Sequence, residues 1–261
     1  MARTSVVTGA ASGIGAAVVT VLEGRGDRVI GVDLADAEVH ADLSTPSGRA
    51  SMVDQVTRLA DGRVDAVIAN AGVLANDSGA IVRVNYFGAV ATLDGLRPLL
   101  ALGDAPRAVA TVSTALLQEI DDTVVACCLA GDEAQAVASV EAHALDPVRT
   151  YASTKRALAR WIRARCVEPA WAGEGIALNA VAPGVVRTPM TEPLLADPAT
   201  ADLVLELVPM PFGGVADPAA VAALLAFLAS SDLGAVTGQV VFADGGGECL
   251  QRGDDPWDHP V

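Results

Sequence analysis

Short, nearly continuous aliphatic runs alternate along this chain with longer stretches whose apolar positions recur every three or four residues. Ser5–Thr8, Arg28–Asp33, Glu38–Ala41, Ala66–Asn70, Ala108–Ser113, Ala177–Ala182 and Gln239–Ala243 read as strands. Runs such as Asp65-Ala66-Val67-Ile68-Ala69-Asn70 show no polar alternation, which suits a parallel sheet covered on both faces. Helical spacing fills most gaps: Gly13–Glu23, Thr45–Ala60, Gly79–Leu100, Tyr151–Val167 and Pro218–Ala229. Strand–helix alternation predicts right-handed crossovers. The expected fold is therefore α/β, a doubly wound parallel sheet of about seven strands with helices on both faces. No linker, charge run or internal repeat divides residues 1–261, so one domain is predicted.

Composition narrows the partners. Hydrophobic residues make up 52% and aromatic ones 3%, so the core is aliphatic. A formal charge of −15 argues against nucleic acid or an anionic membrane surface. The longest apolar helical run, Ala219–Ala229, is too short to span a bilayer. No charged-then-apolar leader precedes the first strand, so a cytoplasmic protein is expected. Cys127, Cys128, Cys166 and Cys249 lack metal-ligand spacing and are read as reduced thiols, with no metal site.

Two clusters carry chemistry. Thr8-Gly9-Ala10-Ala11-Ser12-Gly13-Ile14-Gly15 lies between the first strand and the first helix. Glycines there permit a tight turn and a close backbone approach, and the helix N-terminus offers N–H groups to a pyrophosphate. Asp33 ends the second strand. A carboxylate in that place accepts from ribose hydroxyls and repels a 2′-phosphate. No Arg or Lys lies in the glycine loop or directly after Asp33, so the expected dinucleotide is NAD rather than NADP.

The second cluster is Tyr151 with Lys155, the only lysine in the chain, four residues after one of only two tyrosines. On a helix the two share a face. An ammonium beside the phenol stabilises the phenolate, which predicts a general acid/base. Ser113 ends the fifth strand, where an open sheet places its ligand crevice. Its hydroxyl is read as a hydrogen-bond donor to the reacting oxygen.

With these residues in place, the chain resembles the short-chain dehydrogenase/reductase family from about Thr4 to Gly247. That resemblance implies a Rossmann-type fold. It also brings in Asp42, Asn70-Ala71-Gly72, Asn85 and Pro183-Gly184, in the family's order. By resemblance, Asp42 and Leu43 hold the adenine, and Asn70 and Gly72 the sugar–phosphate region. Pro183, Gly184, Val186 and Thr188 line the nicotinamide end. Tyr151 and Lys155 also touch the cofactor, and Asn85 is the fourth catalytic residue, ordering a water at the lysine. The glycine spacing differs from the epimerase-type branch, and the four-residue Tyr–Lys spacing argues against the enoyl reductase branch.

Two segments bear on the substrate. Tyr151 follows Ser113 by 38 positions, a longer gap than most of the family has. The extra material, about 114–150, is read as an insertion with a short helix from Asp132 to Ala144. Together with Val84-Asn85-Tyr86-Phe87-Gly88 and Ala37-Glu38-Val39-His40-Ala41-Asp42-Leu43-Ser44, it resembles the bacterial 3α-hydroxysteroid dehydrogenase/carbonyl reductase subgroup, which implies a homodimer where other members form homotetramers. Thr188–Phe212 is rich in Leu, Val and Met. It is read either as a lid over a bulky apolar alcohol or ketone or as cover for the core. A 3α-hydroxysteroid, a terpenoid or another alicyclic alcohol suits the same surface. A dinucleotide sensor that has lost its chemistry is the reading from another class.

Overall fold

A computed structural model describes residues 2–256. The tail reading at 251–261 therefore lies partly outside the described residues. Seven parallel strands run in the order β3-β2-β1-β4-β5-β6-β7. They are β1 (Thr4–Thr8), β2 (Arg28–Asp33), β3 (Val39–His40), β4 (Ala66–Ala69), β5 (Arg107–Thr111), β6 (Ala177–Pro183) and β7 (Val240–Ala243). Each predicted run became a strand in an all-parallel sheet. Successive residues feed opposite cores: Val6 and Val67 pack on one face, Val7 and Ile68 on the other. The absence of polar alternation is the consequence, because neither face meets water.

The helices are α1 (Gly13–Gly24), α2 (Pro46–Leu59), α3 (Ser78–Val82), α4 (Ala89–Leu100), α5 (Asp122–Ala130), α6 (Glu133–Ala142), α7 (Pro147–Arg165), α8 (Glu192–Leu195), α9 (Pro198–Leu207), α10 (Pro218–Leu228) and α11 (Gly247–Arg252). Helices α1 and α10 cover one face of the sheet; α2, α4 and α7 cover the other.

Three elements differ from expectation. The single helix predicted over Gly79–Leu100 is α3 and α4 joined by a π-helical turn, Arg83–Gly88. Helix α7 starts at Pro147 rather than at Tyr151. The Asp146 carboxylate caps it through Val148 N and Arg149 N, and proline is preset for the first turn. Segment 114–150 holds two helices, not one. Its predicted helix is α6, capped by Asp132 as expected. Helix α5 had no readable period, because its run Val124-Val125-Ala126-Cys127-Cys128-Leu129-Ala130 is apolar on every side.

Strand order reverses between β1 and β4, on either side of which the crossovers leave in opposite directions. That switch point opens a crevice at the C-terminal strand ends. The loops after β1, β4, β5 and β6 all meet there.

Candidate active site

The glycine loop forms the floor of this crevice. Gly9 and Gly13 hold left-handed φ values of +70° and +52°, which glycine adopts without cost. A Cβ on Gly15 would stand 1.8 Å from the Gly9 carbonyl oxygen, and one on Gly9 would stand 3.0 Å from Ala71 Cα. The loop is thus folded against the end of β4. Ser12, the N-cap of α1, gives no side-chain cap, so the first-turn N–H groups of Gly13 and Ile14 are left for a ligand.

Asp33 closes the loop from β2. Its carboxylate accepts from Ala11 N at 2.9 Å and from Leu34 N at 2.7 Å. Asn70 ties three strand ends together: its amide donates to Thr8 O at 3.3 Å and accepts from Thr111 Oγ1 at 3.0 Å. Asp42 is exposed, and hydrogen bonds from Ser44 hold its carboxyl below the usual range; Leu43 behind it is buried. At the far end, Gly184 N donates to Ala243 O, and Thr188 is tied to Thr191 through its backbone N–H and its hydroxyl. Val186 is buried beside them.

The reacting groups stand over this floor. Helix α7 carries Tyr151 and Lys155 on one face, with the Lys155 ammonium 5.5 Å from the phenol ring centroid. Tyr151 and Ser113 both line the crevice, and the Ser113 side chain acts to lower the phenol. Ser113 Oγ accepts from Ala115 N at 3.2 Å, which fixes the turn after β5. Lys155 Nζ donates to Thr111 O at 2.8 Å. Burial lowers the Lys155 ammonium to about 8. Tyr151 differs from expectation: burial raises its phenol, and the Ser113 side chain opposes that only in part.

Gly15 and Asn85 do not line the crevice, whereas every other predicted site residue does. Gly15 acts beneath the floor, as its contact with Gly9 shows. Asn85 is fully buried on the π-helical turn. Its amide pairs with the Val73 backbone in both directions, at 2.7 and 2.9 Å.

A family model described as enoyl-(acyl carrier protein) reductase matches residues 9–248. A 3-alpha-hydroxysteroid dehydrogenase/carbonyl reductase of Comamonas testosteroni is 38% identical over 95% of this chain and 97% of its own. The chain belongs to the short-chain dehydrogenase/reductase family. Also similar is a cis-4-hydroxycyclohexanecarboxylate dehydrogenase of Sinomonas cyclohexanicum, 32% identical over 94% of this chain and 96% of that one. The solved 3-alpha-hydroxysteroid dehydrogenase of Pseudomonas sp. B-0831, complexed with NADH, superposes with a TM-score of 0.89. It shares 39% identity, and the match covers 96% of this chain and 98% of that one. The family model's description names the branch that the Tyr–Lys spacing argued against, while these three relatives are named as dehydrogenases.

Within this short-chain dehydrogenase/reductase, sequence reasoning missed Thr111 and Thr191. Thr111 holds Asn70 with its hydroxyl and Lys155 with its carbonyl. Thr191 Oγ1 donates to Val186 O and receives Thr188 N, locking the loop after β6. The first was hidden inside an apolar strand, the second in a loop without a motif. Among the described residues lining the crevice, Lys155 is the sole cation. No group of three His, Cys, Asp or Glu side chains among them is placed to hold a metal, and no described helix is long and apolar enough to cross a membrane.

Proposed function

We propose that this chain interconverts a secondary alcohol and a ketone with NAD(H), acting on a hydrophobic alicyclic substrate such as a 3α-hydroxysteroid and its 3-ketone. The observation that carries it is Ser113 and Tyr151 lining one crevice at the strand ends, with Lys155 buried one turn further along α7. The dinucleotide fits the floor described above, with its pyrophosphate on Gly9–Gly15, its ribose on Asp33 and its adenine at Asp42 and Leu43. Asn70 and Gly72 hold the sugar–phosphate region, and Pro183, Gly184, Val186 and Thr188 the nicotinamide end. When bound, the nicotinamide accepts a hydride from the alcohol carbon or returns it to the ketone.

The chain's own residues handle the proton. Ser113 donates to the reacting oxygen and supports the charge that develops on it. Tyr151 takes the hydroxyl proton in oxidation and returns it in reduction. Lys155 stands behind the phenol and favours its ionised form once ligands fill the crevice. Asn85 acts through the Val73 backbone, holding the loop beside Gly72. Asp33 and the lack of a second cation in the crevice favour NAD over NADP, and the Pseudomonas relative is described with NADH.

Segment 188–212 serves as the substrate lid. Its two ends are pinned together by Arg187 N to Ala216 O and Ala216 N to Val185 O, both 2.9 Å. No residue of α9 is buried, and Leu203, Leu207 and Phe212 are 55%, 57% and 85% exposed. These side chains are free to cover an apolar ligand, which favours the lid reading over the core-cover one. The protein is read as a cytoplasmic homodimer or homotetramer, the dimer by likeness to the hydroxysteroid subgroup.

The test is NADH formation from NAD+ with 3α- and 3β-hydroxysteroids beside simple alicyclic alcohols, for the wild type and Tyr151→Phe. Turnover of the 3α epimers is expected, with a loss of about 10²–10⁴ in Tyr151→Phe and unchanged NADH binding. Turnover of alicyclic alcohols alone would keep the chemistry and remove the steroid. Substantial turnover by Tyr151→Phe would remove Tyr151 as the acid/base.

A further inference from the structure

Helix α7 holds Tyr151 and Lys155 in place, yet the residue midway between them faces the other way. At about 100° per residue, Ser153 lies roughly 160° around the helix from each of them. It is fully buried. Its Oγ donates to Arg149 O at 2.8 Å, one turn back, and accepts Asp121 N at 2.8 Å from segment 114–150. That segment grips the same back face elsewhere too. Arg149 donates to Ile120 O at 3.1 Å and pairs with Glu119 at 3.1 Å, and Arg156 Nε donates to Leu116 O.

Asp121 is itself held on both carboxylate oxygens. Val124 N reaches Oδ1 at 2.9 Å, capping α5, and His143 Nδ1 meets Oδ2 at 2.8 Å from the end of α6. Burial of the Asp121 carboxyl works against its charge, but the bonds from Val124, His143 and Thr123 outweigh it and hold it below the usual range. An unbroken chain of contacts therefore runs from His143, whose side chain is 43% exposed, through Asp121 to Ser153.

We propose that Ser153, Asp121 and His143 are positioning residues that brace the Tyr151–Lys155 turn from behind, and that segment 114–150 serves as this brace. None of the three lines the crevice. They act by setting the rotation and depth of α7, and so the placement of Tyr151 beside Ser113 in the crevice. Misplacing a reacting group by about 1 Å can cost on the order of 10²-fold in rate.

Only two tyrosines exist in the chain, which makes a direct test possible. Tyr86 is buried and its phenol is pushed far up by that burial, so a tyrosinate absorbance titration of the NAD+-saturated protein reads Tyr151 first. In Ser153→Ala we expect the Tyr151 midpoint to move upward, because the phenol shifts away from the Ser113 side chain that lowers it. With a turned-over alcohol, kcat should fall about tenfold to a hundredfold while KM for NAD+ stays unchanged. Ser153→Thr, which keeps the hydroxyl, should restore both. His143→Ala at the exposed end should move both in the same direction by less, and keeps the test open if Ser153→Ala fails to fold. An unchanged midpoint and kcat in a folded variant, with only a lower Tm, would make these contacts ordinary fold contacts and overturn the brace. Only the kinetic arm rests on the alcohol–ketone reading; the titration decides even if no alcohol is turned over.

Discussion

The two halves of the crevice are built on different principles. The cofactor half is made of backbone under constraint: left-handed glycines, a Gly15 with no room for a Cβ, and an Asp33 carboxylate bonded to two loop N–H groups. Segment 188–212, which we propose as the substrate lid, is bound at its neck and at Thr188–Thr191, then runs through helices with large apolar side chains in water. The first is fixed by its own bonds before any ligand arrives; the second, on that proposal, gains its contacts by closing on one. A shared cofactor with a variable substrate calls for such a division, since a fixed floor discriminates by fit and a mobile apolar cover discriminates by area.

The comparison breaks most sharply at Gly15→Ala. The added methyl meets the Gly9 carbonyl at 1.8 Å, so we expect a loss of about 3 kcal/mol, seen as a lower Tm, together with lost NADH binding. An unchanged Tm and affinity would show that the floor yields. Asp33→Ala should act next. Loss of charged hydrogen bonds costs about 1.5–3 kcal/mol, and kcat/KM should fall for NAD+ and rise for NADP+. If both cofactors suffer equally, Asp33 only holds the loop. Leu207→Ser should have the smallest effect. It lies on a half-exposed face, so stability should stay within about 0.5 kcal/mol, while KM rises several-fold for bulky apolar alcohols and not for small ones. A large drop in Tm would make α9 part of the core after all.

Much of the fold was legible in the chain because its signals are local. Seven apolar runs and the 3.6-residue spacing between them need no distant partner to be read, and the glycine loop announces itself by lying between a strand and a helix. Tyr151 and Lys155 were legible for the same reason: helical geometry alone puts positions four apart on one face. Segment 114–150 was half legible. Asp132 and the spacing after it marked α6, while α5, apolar on all sides, carried no period to detect.

What remained hidden depends on residues far apart in sequence. Asn85, on the π-helical turn, finds its partner in the Val73 backbone, 12 positions away. Thr111 became part of the site through Lys155, 44 positions away, and Ser153 became a buried anchor through Asp121, 32 positions away. Burial decided the proton affinities as well. The chain shows a phenol beside an ammonium and predicts a stabilised phenolate, whereas packing removes water from both and moves the phenol up and the ammonium down to about 8. Periodicity and backbone freedom are written into neighbouring residues; dehydration and long-range hydrogen bonds arise only when the chain has closed around them.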